Sequence, residues 1–241
     1  MSFVSLSQVF SQDEKQITAT KSGSSLFMSR NFRRLNNLIW RKVIVHLKDI
    51  KTMFNITIFY GAIREGRLSI RAAKAVEDTL RATGKVNITF IDIKEYNLPV
   101  MEARLKDMTD PPENLQKISR MIAGADGLVF VTPEYNNSYS GAFKNAVDYF
   151  TKEWHHKPIG IVCASDGRQG GLNASNLLQL LVLAIEGFPM PYKLLVPELP
   201  KSLDENGKPL NEILEKNLKK FTDEYLWFVE AIVTQINKNK A

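Results

Sequence analysis

Short apolar segments alternate with helical patterns from Met53 almost to the end of the chain, and this alternation limits the fold more than any other feature. Strands are predicted over Asn55–Tyr60, Val86–Ile91, Gly127–Val131, Pro158–Ala164 and Tyr192–Val196. Helices are predicted around Ala72–Leu80, near Glu113–Ala123, after Gly141, over Gly171–Glu186 and over about Leu210–Asn237. Strands that alternate with helices predict a doubly wound α/β fold, in which helices cover both faces of a five-stranded parallel sheet. The near-continuous apolar character of the strands is typical of that burial.

The composition agrees with one globular domain over residues 53–241. The chain of 241 residues is 44% hydrophobic, which is enough for a large core, and it contains no internal repeat. No apolar run approaches the ~18 residues that a membrane-spanning helix needs. Cys163 is the only cysteine, so it can form no intramolecular disulfide, which indicates a reducing compartment. Because Cys163 lies within a predicted strand, we expect its side chain to be buried.

Residues 1–52 differ from the rest of the chain. They hold nine basic and three acidic side chains, which accounts for the whole net charge of +6, whereas residues 53–241 hold 23 of each. The body of the protein therefore lacks the basic surface that nucleic-acid binding requires. We expect the extension to be disordered or partly helical, since residues 31–50 can form a basic amphipathic helix.

Three interpretations of residues 1–52 stay open. A basic, serine-rich segment with few acids is typical of an organelle transit sequence, which would make the protein mitochondrial. The segment can also act as an arm on a membrane surface. Alternatively, Met53 is the true first residue, because a predicted strand starts directly after it. The last interpretation predicts a cytoplasmic protein.

Three loops, after the first, third and fourth predicted strands, have unusual sequences. The second of them follows the third predicted strand and spans residues 132–141, Thr-Pro-Glu-Tyr-Asn-Asn-Ser-Tyr-Ser-Gly. Ligands of open α/β sheets bind at the carboxyl ends of the strands, so this polar segment has the position of a binding site. Pro133 removes one donor, while the N–H groups after it stay free for a ligand. We expect the backbone of Glu134 to matter more than its carboxylate, for which the alternative is a charge facing solvent.

The first loop, residues 61–71, and the third loop, residues 165–171, follow the first and fourth predicted strands. The first loop opens a helix, and its N–H groups, the helix dipole and the side chains of Arg64, Arg67 and Ser69 make it a candidate phosphate site. It matches neither the P-loop nor the dinucleotide-binding fingerprint. The glycines of the third loop are suited to the close approach of a flat ligand.

Together the three loops resemble those of the NAD(P)H-dependent FMN reductase family, whose fold is flavodoxin-like. The matching residues are Gly61…Arg64-Glu-Gly-Arg67…Arg71, Pro133-Glu-Tyr-Asn136…Ser140-Gly141…Lys144-Asn-Ala-Val-Asp148, and Ser165…Gly167…Gly170-Gly171. The resemblance extends over residues 54–200 and implies the strand order 2-1-3-4-5 for the five predicted strands.

The resemblance also implies where the cofactor FMN binds. The phosphate would be held by Arg64, Arg67 and Ser69. The ribityl chain and one edge of the isoalloxazine would be lined by Pro133, Glu134, Tyr135 and Asn136. The other edge of the ring would be closed by the third loop, with Ser165, Gly167, Gly170 and Gly171.

Two positions depart from the family pattern. Ala62 replaces the serine that usually follows the first glycine, so one hydrogen bond to the phosphate is lost, worth about 1–2 kcal/mol, for which Ser69 can compensate. Ser140 replaces a common proline before Gly141, and we expect the second loop to be less rigid as a result.

The implied reaction has two steps. NADPH or NADH delivers hydride to the flavin, and an electron acceptor then enters on the same face. Acceptors in the family include quinones, azo dyes, nitro compounds and free flavin. Since the cofactor carries the chemistry, we predict no catalytic acid or base and no metal, and we expect His155 and His156 to be surface residues. The resemblance further implies a homodimer or homotetramer in which the helix after Gly141 packs against its mate.

Two other functions stay open. The chain can be an FMN-binding electron carrier or redox-sensing interaction protein with little turnover, or an adapter that has lost its flavin. A carrier of the flavodoxin type more often has an acidic body, whereas this body is charge-neutral.

Overall fold

A computed structural model describes residues 53–239. The predictions made for residues 1–52 lie outside the described residues and stay predictions.

The centre of the molecule is a mostly parallel sheet. Its strands are β1 (Phe54–Tyr60), β2 (Val86–Asp92), β3 (Gly127–Tyr135), β4 (Ser138–Tyr139), β5 (Pro158–Ala164), β6 (Phe188–Pro189) and β7 (Leu194–Val196). The sheet is parallel except for β4, which pairs antiparallel with β3. The order is β2-β1-β3-β5, and both β6 and β7 pair with β5 at the far edge. This arrangement confirms the predicted order 2-1-3-4-5, with the fifth position divided between two short strands.

Helices cover both faces of the sheet, as predicted. They are α1 (Ile70–Arg81), α2 (Glu113–Ala123), α3 (Gly141–Asp148), α4 (Leu172–Ala184), α5 (Leu199–Ser202) and α6 (Glu212–Lys238). Short 3₁₀ turns lie at Ile93–Tyr96, Leu105–Asp107 and Lys152–Trp154. One core packs α1 and α6 on one face of the sheet, and a second core packs α2, α3 and α4 on the other. Cys163 is buried in the second core, as predicted.

The third strand is longer than the sequence pattern predicts. It continues past Val131 to Tyr135 and turns back through Asn136 and Asn137 into β4. Both asparagines have positive φ, 49° and 62°, which is the conformation of a type I′ hairpin turn. Asparagine tolerates this conformation better than most residues, so the polar segment forms a hairpin rather than an open loop.

The fifth position of the sheet differs from the prediction, because β7 starts at Leu194 instead of Tyr192 and the short strand β6 before it was not predicted. Its two parts, β6 and β7, are separated by a segment that contains Pro191, and β6 itself ends at Pro189. Proline has no N–H to donate to a ladder and is therefore confined to sheet edges and strand ends.

The first loop is tightly packed against α3 where it leaves β1. A Cβ atom added at Gly61 would lie 2.0 Å from Cδ2 of Phe143, so no other residue fits there. Phe143 in turn packs edge-on against Phe59 and Phe130, with ring centroids 5.5 and 5.1 Å away. This contact sets the position of the first loop relative to the second.

Candidate cofactor site

The three loops meet around one cavity at the carboxyl ends of β1, β3 and β5. The cavity has a volume of about 270 Å³. Its lining consists of Arg64, Glu65, Gly66, Arg67, Leu68, Ser69, Pro133, Glu134, Tyr135, Ala164, Ser165, Asp166 and Leu199. Seven predicted site residues therefore lie together, with all three loops represented. Asn136, Gly167, Gly170 and Gly171 lie outside the lining.

The first loop offers a set of unused backbone donors. Within the described residues, no acceptor is found for most of the backbone N–H groups of residues 62–69, which lead into the N-terminus of α1, although residues 65 and 66 form a hydrogen-bonded turn. The positive end of a helix dipole and free N–H groups together favour an anion. This part of the cavity is therefore suited to a phosphate group.

Arg64 and Arg67 lie in different surroundings although both line the cavity. Arg64 is exposed, has no ion-pair partner among residues 53–239, and lies 5.9 Å from the ring centre of Tyr135. Arg67 forms a two-pronged ion pair with Asp92 and also donates to the carbonyl of Ala62. Arg64 is thus the first-loop cation whose hydrogen-bonding groups remain available to a ligand.

Ser69 is held by a buried hydroxyl pair. Its Oγ lies 2.8 Å from Oη of Tyr60. Burial raises the pKa of Tyr60 well above its ordinary value, so the phenol stays protonated and can donate to Ser69. The Ser69 proton is then free to point elsewhere, including towards a ligand in the cavity.

In the second loop, Pro133 and Tyr135 supply the apolar and aromatic surface of the cavity. Glu134 has a role that the sequence did not indicate, since its carboxylate accepts a hydrogen bond of 2.9 Å from the N–H of Ala174. This bond satisfies one of the free donors at the start of α4. The carboxylate therefore links the second loop to α4 and does not simply face solvent.

Ser140 fixes the end of the second loop, contrary to the expected loss of rigidity. Its hydroxyl accepts a hydrogen bond of 3.0 Å from the N–H of Phe143 and donates one to the carbonyl of Gly61. Its φ of −65° is the value that a proline ring imposes. Serine thus keeps the backbone conformation of the family's proline and adds a bond between the first and second loops.

In the third loop, the glycines at 170 and 171 face the protein. Both have positive φ, and added Cβ atoms would lie 2.8 Å from the backbone N of Pro197 and from Cβ of Cys163, respectively. These close approaches explain why Gly170 and Gly171 stay outside the cavity lining. Their role in the structure is to let the loop pack closely against its neighbours.

Sequence reasoning missed Asp92, the partner of Arg67. Its position was a usable signal, because it directly follows the predicted strand Val86–Ile91, which neighbours the first strand in the sheet. The sequence carried no comparable signal for Leu199, which reaches the cavity from the distant α5.

A second cavity, of about 630 Å³, lies beside the first loop and α3. Ile63, Leu98, Val100 and Ala142 give it a largely apolar lining, and its one cation, Lys94, is paired with Glu65 at 3.0 Å. It therefore lacks the unpaired positive charge that a phosphate would need.

The two histidines lie at the surface of the molecule, as predicted. His155 lies 3.5 Å from Glu186, and the exposed His156 stacks on Phe188. Among the helices of residues 53–239, none has the length and apolar character needed to cross a membrane.

The donor set of the 270 Å³ cavity fits FMN. Free N–H groups and Arg64 suit its phosphate, while Pro133 and Tyr135 offer flat, apolar surface to a heterocycle. The third loop adds the hydroxyl of Ser165 to the lining of the cavity.

Comparisons with known proteins agree with this fit. A family model described as NADPH-dependent FMN reductase matches residues 54–199. An NADPH azoreductase from Bacillus sp. (strain OY1-2) is 31% identical over 137 residues, which are 54% of this chain and 77% of the relative. A quinone reductase from Pseudomonas putida is 27% identical over 186 residues, which are 74% of this chain and 96% of the relative.

Solved structures show the same fold. The flavoenzyme NAD(P)H:(acceptor) oxidoreductase FerB from Paracoccus denitrificans has a TM-score of 0.66 at 24% identity, covering 74% of this chain and 98% of that one. A flavodoxin, WrbA-like protein from Agrobacterium tumefaciens has a TM-score of 0.50 at 20% identity, covering 73% and 97%. The family match spans the whole sheet and all three loops, and the chain belongs to the NADPH-dependent FMN reductase family.

Proposed function

We propose that this FMN-dependent NAD(P)H oxidoreductase holds its cofactor in the cavity between the three loops and reduces small quinones. The observation that carries the site is Arg64, whose guanidinium has no ion-pair partner among residues 53–239 and lies in a loop with free backbone N–H groups, close to Tyr135. The first loop would hold the phosphate, and the second and third loops would flank the flat ring.

The protein's own residues bind and orient rather than transfer protons. Arg64 would bind the phosphate, and Pro133 and Tyr135 would limit where the ring lies. Bound FMN supplies the chemistry by accepting hydride from the nicotinamide and returning electrons to the acceptor. Ser140 and Glu134 would maintain the loop geometry through Gly61 and Ala174.

Quinone is the acceptor class that the relatives favour. The quinone reductase of Pseudomonas putida and a 2-hydroxy-1,4-benzoquinone reductase of Burkholderia sp. align with 74% and 72% of this chain, against 54% for the azoreductase. The quinone reductases therefore align with a larger part of this chain than the azoreductase does.

The test is steady-state oxidation of NADPH or NADH by the purified, FMN-loaded protein, with benzoquinone, an azo dye or free FMN as acceptor. We expect sustained turnover that is fastest with the quinone. Reduction of the bound flavin without turnover on any acceptor would instead identify an electron carrier. Faster turnover with the azo dye than with the quinone would contradict quinone as the acceptor, but it would not contradict the flavin site.

The proposal includes a homo-oligomer formed through α4. Its 13 residues carry no charge, and Leu177, Leu180 and Leu183 are 41%, 61% and 58% exposed on its outer side. Two copies of this face would bring no like charges together, which favours a symmetric contact between identical surfaces. The outer side of α3 carries the Lys144–Asp148 pair and is less suited to such a contact.

Light scattering during size-exclusion chromatography tests the oligomer. We expect Leu180→Glu to shift the protein towards the monomer, because it places a charge in the contact. Leu210→Glu is the matched control, since Leu210 is 56% exposed but lies before α6. A wild-type monomer, or an unchanged mass for Leu180→Glu, would contradict the proposed contact.

We place the protein in the cytoplasm, on the support of the single buried thiol of Cys163. Fluorescence microscopy of the tagged full chain, with and without residues 1–52, tests this placement. Mitochondrial signal that depends on residues 1–52 would contradict it.

A further inference from the structure

Arg67 is held at four points that leave it little freedom. Its guanidinium donates to both carboxylate oxygens of Asp92, one of them at 2.6 Å, and to the carbonyl of Ala62. It also lies over the ring of Tyr60, 5.0 Å from the ring centre. The side chains of Arg67 and Asp92 are only 16% and 8% exposed. An arginine held in this way has few donors left for a phosphate.

Asp92 is equally well anchored. It ends β2, and its Oδ1 also accepts a hydrogen bond of 3.1 Å from the N–H of Lys94. β2 pairs with β1 in register, with Tyr60 opposite Asp92. The carboxylate therefore lies on a rigid part of the sheet, directly beside the start of the first loop.

These contacts connect the first loop to the sheet at both ends. Arg67 ties Ala62 to Asp92, and Tyr60 ties Ser69 to β1. The segment between them presents the free N–H groups and Arg64. Ala62 has no side-chain hydroxyl to offer a phosphate, so the binding here depends on how well the backbone donors are aligned.

We propose that Asp92 is a positioning residue of the cofactor site, which acts through Arg67 to hold the first loop in its phosphate-binding form. This inference rests on the proposed function. It assigns the phosphate contact to Arg64 and makes Arg67 a brace, although both arginines match the family pattern. Asp92 thereby determines how strongly the site prefers FMN to riboflavin, which lacks the phosphate.

The test compares the dissociation constants of FMN and riboflavin, measured by quenching of flavin fluorescence. For Asp92→Asn we expect FMN to bind about tenfold more weakly, and riboflavin to change by less than about twofold. Arg67→Lys should act in the same direction, because an ammonium group keeps the charge but cannot span Ala62 and both oxygens of Asp92. Asp78→Asn, an exposed acid on α1 without an ion pair among the described residues, is the control and should leave both constants unchanged.

Whether Asp92→Asn binds FMN more weakly or more tightly than the wild type decides between the two roles of Arg67. If Arg67 contacts the phosphate and Asp92 competes for it, Asp92→Asn will bind FMN as tightly as the wild type or more tightly, which would overturn the proposal. Equal weakening of FMN and riboflavin would also overturn it, because a general loss of structure has no preference for the phosphate. If Asp92→Asn does not fold, Asp92→Glu gives the same comparison, because it keeps a carboxylate but displaces it from its position against Arg67. A wild-type protein that binds neither flavin would refute the proposed function itself.

Discussion

Arg64 and Arg67 are three residues apart, yet only tertiary contacts distinguish their roles. The sequence places both beside a helix start, where either can bind an anion. The distinction comes from Asp92, 25 positions after Arg67, and no local pattern links the two. Glu134 is a similar case, since its partner Ala174 lies 40 positions away. Sequence reasoning therefore found the cavity's residues more readily than their functions.

At the residue scale, Arg64→Ala should weaken FMN binding by about ten- to a hundredfold. A hydrogen bond between charged groups is worth about 1.5–3 kcal/mol, and each 1.4 kcal/mol is a factor of ten. Fluorescence titration with FMN measures the loss. Arg120→Ala, which removes an exposed arginine from α2, should leave the constant unchanged. Equal affinity of Arg64→Ala and wild type would contradict the phosphate assignment.

Ser140→Ala should lower the free energy of unfolding by about 1–3 kcal/mol. It removes the N-cap of α3 and leaves the carbonyl of Gly61 without its buried partner. Urea unfolding monitored by circular dichroism gives the value. The control is Ser138→Ala in the same hairpin, since the Ser138 hydroxyl makes no hydrogen bond among the described residues. A change of less than about 0.5 kcal/mol would mean that Ser140 does not brace the loops.

At the scale of elements, strand and helix positions followed from periodicity, but strand ends did not. β5 and α2 match their predicted bounds. A continuous apolar run marks the buried strand, and apolar residues at helical spacing mark the amphipathic helix. β3 extends four residues further than predicted, since the polar segment after Val131 was interpreted as a loop. The Asn136–Asn137 pair was a usable signal for the hairpin, as two adjacent asparagines suit a type I′ turn.

Substitutions of Asn136 test whether this position requires the positive φ of the hairpin turn. Asn136→Val should destabilise the fold by about 1–2 kcal/mol, because a branched side chain is strained at a φ of 49°. Asn136→Gly should stay within about 0.5 kcal/mol of the wild type, as glycine adopts positive φ freely. Urea unfolding of the two variants provides the comparison. Equal losses would show that backbone conformation is not what position 136 requires.

At the scale of the whole molecule, alternation of strands and helices was enough to predict a doubly wound parallel sheet and the edge where the site lies, whereas the strand order was implied by the family resemblance. A doubly wound sheet places the loops after strands one, three and four together, whatever their exact residues. The extra strand β6 at the sheet edge, and the contact of Leu199 with the cavity, depend on packing and could not be predicted.

The pH dependence of the free energy of unfolding tests whether the thiol of Cys163 is buried in the fold. Burial raises the pKa of the Cys163 thiol well above its ordinary value, so it stays protonated in the fold at pH values where the unfolded chain ionises. Above pH ~8.5 the unfolded chain then binds fewer protons than the native one, and the free energy of unfolding falls by up to about 1.4 kcal/mol per pH unit.

Urea unfolding at pH 8.5 and 9.5 measures this fall. Cys163→Ala should lose less stability over that interval than the wild type, although its stability at pH 7 is lower because of the smaller side chain. An equal fall in both proteins would show that Cys163 is not the group responsible.

The central claim is that the three loops form an FMN site which NADPH can reduce. The most direct measurement is the absorbance of the purified protein after addition of FMN and removal of the excess, followed by NADPH under anaerobic conditions. We expect the absorbance of oxidised flavin to remain with the protein and to bleach on addition of NADPH. A protein that stays colourless after exposure to FMN would contradict the claim.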